Sequence, residues 1–313
     1  MKNNDSLYRQ LFAELPRHRT FFDYEMKSFS TFKVGGKADI LFLPESVSEI
    51  KAAITICKNN SIPFQVLGKG SNVLISDRGI RGLTIYLGSN FTKISHEGKR
   101  IRAQAGASLA AITSLAAKNN LTGLEFSVGI PGSVGGAVLM NASAYDGEIK
   151  DVVISSSYLT TQEKIVTLNG AEHQFGYRSS VYQNISSIIL EADFILEEGN
   201  RLEIYEKIQD FQIKRRASQP IDKFSAGSAF KRPPDNYAGK LISDAGLKGY
   251  REMNAGVSAK HAGFIINYGG ASASDINRVF AHVKSVVEDK FGVSLQPEVK
   301  WIGDWTEEEV QWK

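Results

Sequence analysis

Apolar residues recur at helical spacing in ESVSEIKAAITICKNN, residues 45–60, where Ser46 stands three positions before Glu49 as in a capping box. This stretch predicts a helix. The runs FQVL and VLI follow it and flank a turn that contains Gly68 and Gly70, an arrangement typical of two strands joined by a glycine turn. The tip of such a turn is a place where a ligand can approach the backbone.

The pattern stays mixed until about residue 200 and then changes. The runs GLTIYLG, KRIRAQAG and SSIILEADFIL predict strands, and residues 108–119 predict a helix. From Arg201 a long helix is predicted over LEIYEKIQDFQIKRR. The remainder predicts a helix over NYAGKLISDAG, a strand HAGFIIN, a helix capped by Ser274 and a last strand SLQPEVKWIG. The chain is therefore predicted to be an α+β region followed by a smaller α/β unit.

Composition narrows the class of protein. With 313 residues and 42% hydrophobic content, the chain can form more than one core and has no disorder signature. Its net charge of +3 does not indicate a nucleic-acid-binding face. The one cysteine, Cys57, excludes an intrachain disulfide and a multi-cysteine metal site, and its place in an apolar helix favours a buried thiol. Because no apolar leader or membrane-length run is found, we expect a cytoplasmic protein. We also expect no bound metal.

Glycine is concentrated in GIPGSVGGAVLMNASA, residues 129–144, at Gly129, Gly132, Gly135 and Gly136. Each glycine within a helix or strand lowers the stability of the fold by about 0.5–1 kcal/mol relative to alanine. So many glycines in one stretch therefore indicate a structural or functional requirement. The stretch matches neither a P-loop nor a dinucleotide fingerprint. Two interpretations stay open: a cradle of backbone N–H groups for a phosphate beside a flat ring, and a tight structural turn.

Eight motifs occur in a fixed order: TFKVGGKAD, LGKGSNVLISD, GIPGSVGGAVLMNASAY, YRSS, SAGSAFKRP, AGKLI, HAGFIIN and PEV. Together they closely resemble the UDP-N-acetylenolpyruvoylglucosamine reductases. The resemblance implies an FAD enzyme of bacterial peptidoglycan synthesis that takes electrons from NADPH. It also implies an α+β fold, with a two-lobed FAD-binding region of the vanillyl-alcohol oxidase type followed by a smaller α/β substrate-binding domain. The implied domains are an N-terminal extension over 1–27, the FAD region over 28–200 with lobes 28–95 and 96–200, and the substrate domain over 201–313.

The same resemblance implies which residues bind FAD. The first glycine turn would hold one side of the diphosphate and the second glycine-rich stretch the other. The residues of the first turn are Gly68, Lys69, Gly70, Ser71 and Asn72. Those of the second are Gly132, Ser133, Gly135, Gly136 and Ala137, with Asn141 and Ala142 nearer the flavin.

Three residues are implied in the reduction of the enolpyruvyl double bond of a UDP-sugar. Arg178, in FGYRSS, would hold the substrate carboxylate with its planar fork. Glu298, in LQPEVKW, would be protonated and donate to the same group. Ser228, in SAGSAFKRP, would give a proton to the alpha carbon, with Lys231 three residues on. Without the resemblance, these residues are more simply a surface arginine, an outward-facing strand acid and a turn serine.

Other assignments stay open. Arg215 and Arg216 end the long helix, where they complement its dipole or contact a diphosphate. We assign Arg215 to FAD and Arg216 to the UDP-sugar, but the sequence does not decide between the two diphosphates. Tyr177 and Lys231 would border the substrate, although ring packing accounts for Tyr177 equally well. Three further residues in matched motifs either contact the substrate or have core or strand-edge roles, and the sequence favours neither alternative. They are Tyr237, Lys240 and His261.

The chain departs from the usual family residues at three positions. Arg232 stands in place of asparagine, and Ser143 and Asp146 each stand in place of glycine. The inserted tyrosine-bearing loop of the longer family type is also missing, which implies the shorter type with a more open cleft.

Two rival functions are weighed against this one. An oxidase with flavin attached through histidine is disfavoured because no histidine lies in either glycine turn. A nucleotide-binding module without catalysis would have no use for Arg178, Ser228 and Glu298 together. We expect a monomer that acts on the UDP-sugar with NADPH and has no nucleic-acid or membrane partner.

Overall fold

Three sheets of four or five strands organise the chain in the computed structural model, which describes residues 4–312. The helices are α1 (Asn4–Leu11), α2 (Val47–Asn59), α3 (Leu109–Lys118), α4 (Val134–Met140), α5 (Arg201–Ser218), α6 (Ala238–Asp244), α7 (Ala273–Phe291) and α8 (Glu307–Val310). The earlier strands are β1 (Thr20–Glu25), β2 (Lys37–Phe42), β3 (Phe64–Leu67), β4 (Val73–Ile75), β5 (Ile80–Tyr86), β6 (Ile94–Glu97), β7 (Arg100–Gln104), β8 (Leu121–Thr122), β9 (Ser143–Ala144) and β10 (Gly147–Glu148). The later strands are β11 (Val153–Thr160), β12 (Ile165–Asn169), β13 (Ser187–Ile195), β14 (Glu197–Glu198), β15 (Phe224–Ser225), β16 (Arg251–Glu252), β17 (Ala255–Val257), β18 (Ile265–Asn267) and β19 (Lys300–Ile302).

The first lobe is built on the sheet β1-β2-β5-β3. Strands β2 and β3 both run parallel to β5, and α2 makes the crossover between them. The predicted helix is confirmed, because Ser46 Oγ accepts a hydrogen bond from the Glu49 amide at its start. The predicted buried thiol is confirmed as well, and burial raises the pKa of Cys57 to about 12.

The second lobe is built on the antiparallel sheet β12-β11-β13-β7-β6. Helix α3 begins after Ser108, whose Oγ accepts the Ala111 amide, and α4 begins inside the second glycine-rich stretch. Helices α2, α3 and α4 all contribute apolar side chains to one core that runs through both lobes. The segments that carry the two glycine turns are therefore anchored to a common core.

The C-terminal sheet, β15-β18-β17-β16, packs against α6 and α7 around a separate core. The predicted cap of α7 is wrong: Ser272 caps the helix, because its Oγ accepts the Asp275 amide while Asp275 accepts the Ser272 amide. Ser274 lies in the first turn instead, where its amide and its hydroxyl both donate to Asp77 of the first lobe. This contact joins α7 to the first lobe.

The end of the chain also returns to the first lobe, since β19 pairs in parallel with β4. Two of the implied domain boundaries separate elements that pack together in the structure. Strand β1 is an edge strand of the first sheet although it falls within 1–27, and α5 packs on α3 although it falls within 201–313. The boundaries stay predictions, and residues 1–3 of the implied extension lie outside the described residues. Between residues 4 and 312, no helix has both the length and the apolar character to span a membrane.

Candidate functional site

A cleft of about 480 Å³ lies between the second lobe and the C-terminal sheet. Its wall includes Arg178 from the loop between β12 and β13, Ser228 from the segment after β15, and Glu298 from the segment before β19. The fold therefore brings together the three residues to which the sequence assigns catalysis.

Arg178 sits in a turn and contacts other residues through two of its three guanidinium nitrogens. Its φ of 53° lies in the left-handed region that side chains rarely adopt. Its Nε lies 2.7 Å from Glu298 Oε1, as an ion pair without an aligned hydrogen bond, and its Nη1 donates to Ser143 Oγ at 2.6 Å. With the described residues, Nη2 makes no hydrogen bond. Part of the fork is therefore available to a ligand in the cleft.

Glu298 is a buried carboxyl, with 9% of the residue exposed. Burial raises its pKa, and the positive charge of Arg178 opposes this effect without cancelling it. Its backbone is fixed on both sides, because its amide donates to Ala229 O and its carbonyl accepts from Asn72 Nδ2 at 3.2 Å. The carboxyl is thus held between the serine segment and the first glycine turn.

Ser228 is half-buried in the cleft wall, and within residues 4–312 its hydroxyl has no hydrogen-bond partner. Side chains of this segment point alternately into the cleft and away from it. Ser228, Phe230 and Arg232 line the cleft, and Lys231 does not. Lys231 acts instead on Glu298, whose pKa its positive charge lowers against the larger effect of burial. Lys231 therefore lies close to the carboxyl, and the structure gives no contact between Lys231 and the serine.

Positive charge dominates the cleft. The cationic side chains on its wall are Arg178, Arg232, Lys240, Lys248 and Lys260. Among the described residues that line it, Glu298 has the one carboxyl side chain. Lys248 and Lys260 could not be predicted from the sequence, because isolated lysines in loops belong to no recognisable pattern. Such an excess of cations suits a ligand with several negative charges.

Two exposed tyrosines stand at this cleft. Tyr177 is 53% and Tyr237 is 58% exposed, so both rings are accessible to a ligand in the cleft. The Tyr177 hydroxyl accepts the Arg232 amide at 3.0 Å, and the Arg232 guanidinium lies 4.1 Å from the centre of the Tyr237 ring. Arg232 thus joins the two rings, which makes it part of the cleft although it departs from the usual family residue.

A second cavity, of about 670 Å³, lies between the two lobes and reaches both glycine turns. Gly68, Ser133, Gly135 and Gly136 line it, and the remaining wall is largely apolar. The apolar residues include Ile54, Ile62, Leu87, Leu139, Ile185, Ile188 and Ile189. Such a cavity suits a nucleotide. Its phosphates would lie against the backbone of the glycine turns, and its ring would lie against the apolar wall.

The glycine turns have unused hydrogen-bond donors that fit the diphosphate of FAD. In the described part of the chain, the amides of residues 68–72 donate no hydrogen bond within the protein, and neither do those of Gly132 and Ser133. The two turns also meet closely, because a Cβ on Gly68 would lie 2.3 Å from Ser133 Oγ. Successive free amides in so close a concavity form an anion site.

Gly135 and Gly136 differ although they are adjacent. The Gly135 amide donates to Ala105 O, and a Cβ on Gly135 would meet Ala105 Cβ at 2.8 Å. Gly135 therefore allows α4 to approach the end of β7. A Cβ on Gly136 would meet nothing closer than Ser133 Oγ at 3.4 Å, so Gly136 presents open space at the cavity.

Asn141 ends α4 and is bound within the protein. It is 1% exposed, and its Nδ2 donates to Glu148 Oε2 and to Gly176 O while its Oδ1 accepts the Lys150 amide. Its side chain therefore fixes the loop that carries Arg178 and offers no unused donor to a flavin.

The remaining predicted cofactor residues lie on the same two segments. Gly70 has a φ of 62°, and a Cβ there would meet Phe29 O, so this glycine is required by the turn itself. Lys69 and Ser71 are half-exposed beside it. Ala137 is buried in α4, and Ala142 follows that helix.

Arg215 reaches from α5 to the second glycine-rich stretch. A Cβ on Gly129 would meet Arg215 Cδ at 2.8 Å, so the arginine lies directly on this glycine. Burial lowers the pKa of Arg215, and its guanidinium has no anionic partner among the described residues. Arg216 is exposed, and its carbonyl accepts a hydrogen bond from Lys260 of the cleft. A half-buried arginine without an anion is suited to a phosphate.

Known proteins match this chain over nearly its whole length. A UDP-N-acetylenolpyruvoylglucosamine reductase from Caldanaerobacter subterraneus subsp. tengcongensis is 45% identical over 290 residues, which cover 93% of this chain and 96% of the relative. The one from Alkaliphilus metalliredigens is 41% identical over 302 residues, which cover 96% and 99%. The crystal structure of the reductase from Thermus caldophilus has a TM-score of 0.78 at 32% identity, over 90% of this chain and 98% of that one.

Two family profiles match successive parts of the sequence. Residues 38–169 match an FAD binding domain, and residues 219–302 match the C-terminal domain of UDP-N-acetylenolpyruvoylglucosamine reductase. The first match contains both glycine turns, and the second contains Ser228 and Glu298. The predicted fold class, an α+β FAD region followed by a smaller domain, is confirmed.

Proposed function

This chain belongs to the UDP-N-acetylenolpyruvoylglucosamine reductase family, and we propose that it holds FAD in the cavity between the lobes and the UDP-sugar in the cationic cleft. It is an FAD-dependent oxidoreductase that uses NADPH to reduce the enolpyruvyl group of UDP-N-acetylglucosamine enolpyruvate, giving UDP-N-acetylmuramate for peptidoglycan synthesis. The main support for the residue roles is the convergence of Arg178, Ser228 and Glu298 on one cleft beside the first glycine turn.

When bound, FAD supplies the redox chemistry by taking a hydride from NADPH and giving it to the terminal carbon of the substrate's double bond. Negative charge then develops on the neighbouring carboxylate. Arg178 holds this carboxylate through Nη2, which makes no hydrogen bond with the described residues. Glu298 donates to the same group in its protonated form, which burial favours by raising its pKa. Together they stabilise the charge on the substrate as an enediolate.

Ser228 gives its proton to the alpha carbon and so completes the reduction. Its hydroxyl has no partner within the described chain, so no competing hydrogen bond holds the proton away from the cleft. A serine hydroxyl is a weak acid, and the nearby positive charge of the cleft stabilises the alkoxide that remains. This proton transfer is separate from the stabilisation by Arg178 and Glu298.

The charged groups of the substrate are assigned by position. The diphosphate of the UDP-sugar binds the cations at the cleft, which are Arg232, Lys240, Lys248 and Lys260, with Arg216 alongside Lys260. Tyr177 and Tyr237 flank its rings. Lys231 lies beside Glu298 at the carboxylate end of the substrate. Arg215, which lies on Gly129, binds the FAD diphosphate.

The proposal extends to the form and location of the enzyme. A single chain supplies all three catalytic residues and both cavities, so a monomer is sufficient for the reaction. Its substrates are small anions, and the net charge of +3 gives no reason to expect a nucleic-acid partner. We place the enzyme in the cytoplasm, as a single buried cysteine is compatible with a reducing compartment.

The experiment that tests the function follows the flavin through its two half-reactions. The purified protein is expected to be yellow, to lose its flavin absorbance with NADPH in the absence of oxygen, and to regain it when the enolpyruvyl UDP-sugar is added. Mass spectrometry should then find UDP-N-acetylmuramate. Recovery with oxygen that is fast and unaffected by the sugar would identify an oxidase instead, and a protein that cannot take up FAD would contradict both functions.

A further inference from the structure

Ser143, where the family usually has glycine, lies against the proposed catalytic arginine. It is the first residue of β9, and its Oγ accepts a hydrogen bond from Arg178 Nη1 at 2.6 Å. A glycine at this position would have no group to accept that bond. The contact is therefore specific to the serine that this chain carries.

The hydrogen bonds around Arg178 separate into those that hold its backbone and those that hold its side chain. Asn141 Nδ2 donates to Gly176 O at 3.0 Å, and Gln183 Nε2 donates to Arg178 O at 2.9 Å. These two contacts fix the path of the loop but leave the long side chain free to turn. Within the described chain, Glu298 at Nε and Ser143 at Nη1 are the polar partners of the guanidinium. Two contacts on different nitrogens are needed to fix the orientation of its plane.

The hairpin that carries Ser143 is itself firmly held. Its turn residues Tyr145 and Asp146 have φ values of 50° and 65°. The Tyr145 ring stacks on Phe211 of α5 with 4.3 Å between ring centres, and its hydroxyl donates to Phe211 O at 3.0 Å. A Cβ on Gly147 would meet the Phe126 ring at 2.6 Å, so the other strand of the hairpin is closely packed. The Ser143 hydroxyl is therefore a fixed point.

We propose that Ser143 is a positioning residue for Arg178: it accepts from Nη1 so that, with Glu298 on Nε, the guanidinium plane is set and Nη2 is directed at the substrate carboxylate. This inference rests on the proposed function of Arg178. It assigns a task to a residue that departs from the usual family pattern, and it explains how an arginine on a loop keeps one orientation without substrate.

The test compares the two half-reactions of Ser143→Ala by stopped-flow absorbance. Reoxidation by the enolpyruvyl UDP-sugar is expected to slow by about tenfold to a hundredfold, the range for losing a hydrogen bond to a charged group. Flavin reduction by NADPH, FAD content and the melting temperature should match the parent. Ser143→Thr keeps the hydroxyl and should recover most of the rate.

A matched control is Ser157→Ala, which removes an exposed hydroxyl that bonds Thr167 at 2.9 Å on the same lobe. It should leave both half-reactions unchanged. The proposal is overturned if Ser143→Ala reoxidises at the parent rate, if both half-reactions slow equally, or if Ser143→Thr is as slow as the alanine variant. A parent enzyme that the UDP-sugar does not reoxidise would instead refute the proposed function itself, so the two failures are distinguishable.

Discussion

Arg178 Nε lies 2.7 Å from Glu298 Oε1, although one residue stands on a loop of the second lobe and the other just before the last strand. The pair is mostly enclosed, with 17% and 12% of the side chains exposed. Removing Glu298 altogether would leave the Arg178 guanidinium enclosed without its carboxyl partner, which destabilises a fold for reasons unrelated to catalysis. Informative substitutions here keep either the charge or the shape of the side chain.

Arg178→Lys keeps the positive charge opposite Glu298 but removes the fork. Reoxidation by the UDP-sugar is expected to slow by about a hundredfold to a thousandfold, the effect of losing one donor aimed at developing charge. Flavin reduction by NADPH should change little, because it does not involve the substrate carboxylate. Stopped-flow absorbance of each half-reaction measures both. An unchanged reoxidation rate would remove Arg178 from the mechanism.

Glu298 should give the reoxidation step a pH dependence. Burial raises its pKa and the active form is the protonated one, so the rate is high below the raised pKa and falls as pH rises through it. Glu298→Gln keeps an N–H donor of similar shape but does not titrate. We expect this variant to lose the decline at higher pH. A decline of the same size and midpoint in Glu298→Gln would assign it to another group.

Much of the fold could be predicted because local signals decide it. Helix α2 has its capping pair Ser46 and Glu49 and its apolar stripe in adjacent sequence, and the structure agrees. The cap of α7 could not be predicted in this way, because both serines of ASASD, Ser272 and Ser274, suit an N-cap and only the hydrogen bond from the Asp275 amide selects Ser272. Contacts between segments that are distant in sequence, which form only in the tertiary fold, cannot be predicted from the local pattern of residues.

In the candidate site, too, local sequence predicts some features and tertiary packing decides the others. The glycine turns could be found from composition, but the difference between Gly135 and Gly136 depends on whether Ala105 lies opposite. The cleft lysines Lys248 and Lys260 come from separate loops and meet only when the C-terminal sheet forms. No sequence pattern could indicate these neighbours, because each is decided by packing between distant segments.

That difference between the two glycines sharpens a prediction about FAD. Gly136→Asp places a carboxylate in open space at the cavity, where it should repel the FAD diphosphate without straining α4. Its control, Gly136→Asn, has the same shape without the charge. We expect the aspartate variant to purify with much less flavin and to bind added FAD more weakly than the asparagine variant, measured by absorbance and by fluorescence titration. Equal, full flavin content in both would show that the diphosphate lies elsewhere.

Ser228 can be tested by separating the arrival of the hydride from the arrival of the proton. Ser228→Ala removes the proposed proton donor while Arg178 and Glu298 remain to hold the carboxylate. Flavin reduction by NADPH should be normal, and turnover of the enolpyruvyl substrate should fall by about a hundredfold to ten-thousandfold, as for the loss of a general acid. Ser225→Ala, on β15 and outside the cleft lining, is the matched control and should behave as the parent.

The Ser228→Cys variant distinguishes a role of the hydroxyl in proton delivery from a role in packing alone. A thiol occupies a similar place and is the stronger acid, so it should restore part of the lost rate if proton delivery is the role. The hydroxyl has no partner in the described chain, so the alanine variant leaves no buried group unsatisfied and its stability should match that of the parent. If both half-reactions slow equally in Ser228→Ala, or if the second does not slow, Ser228 is not the proton donor.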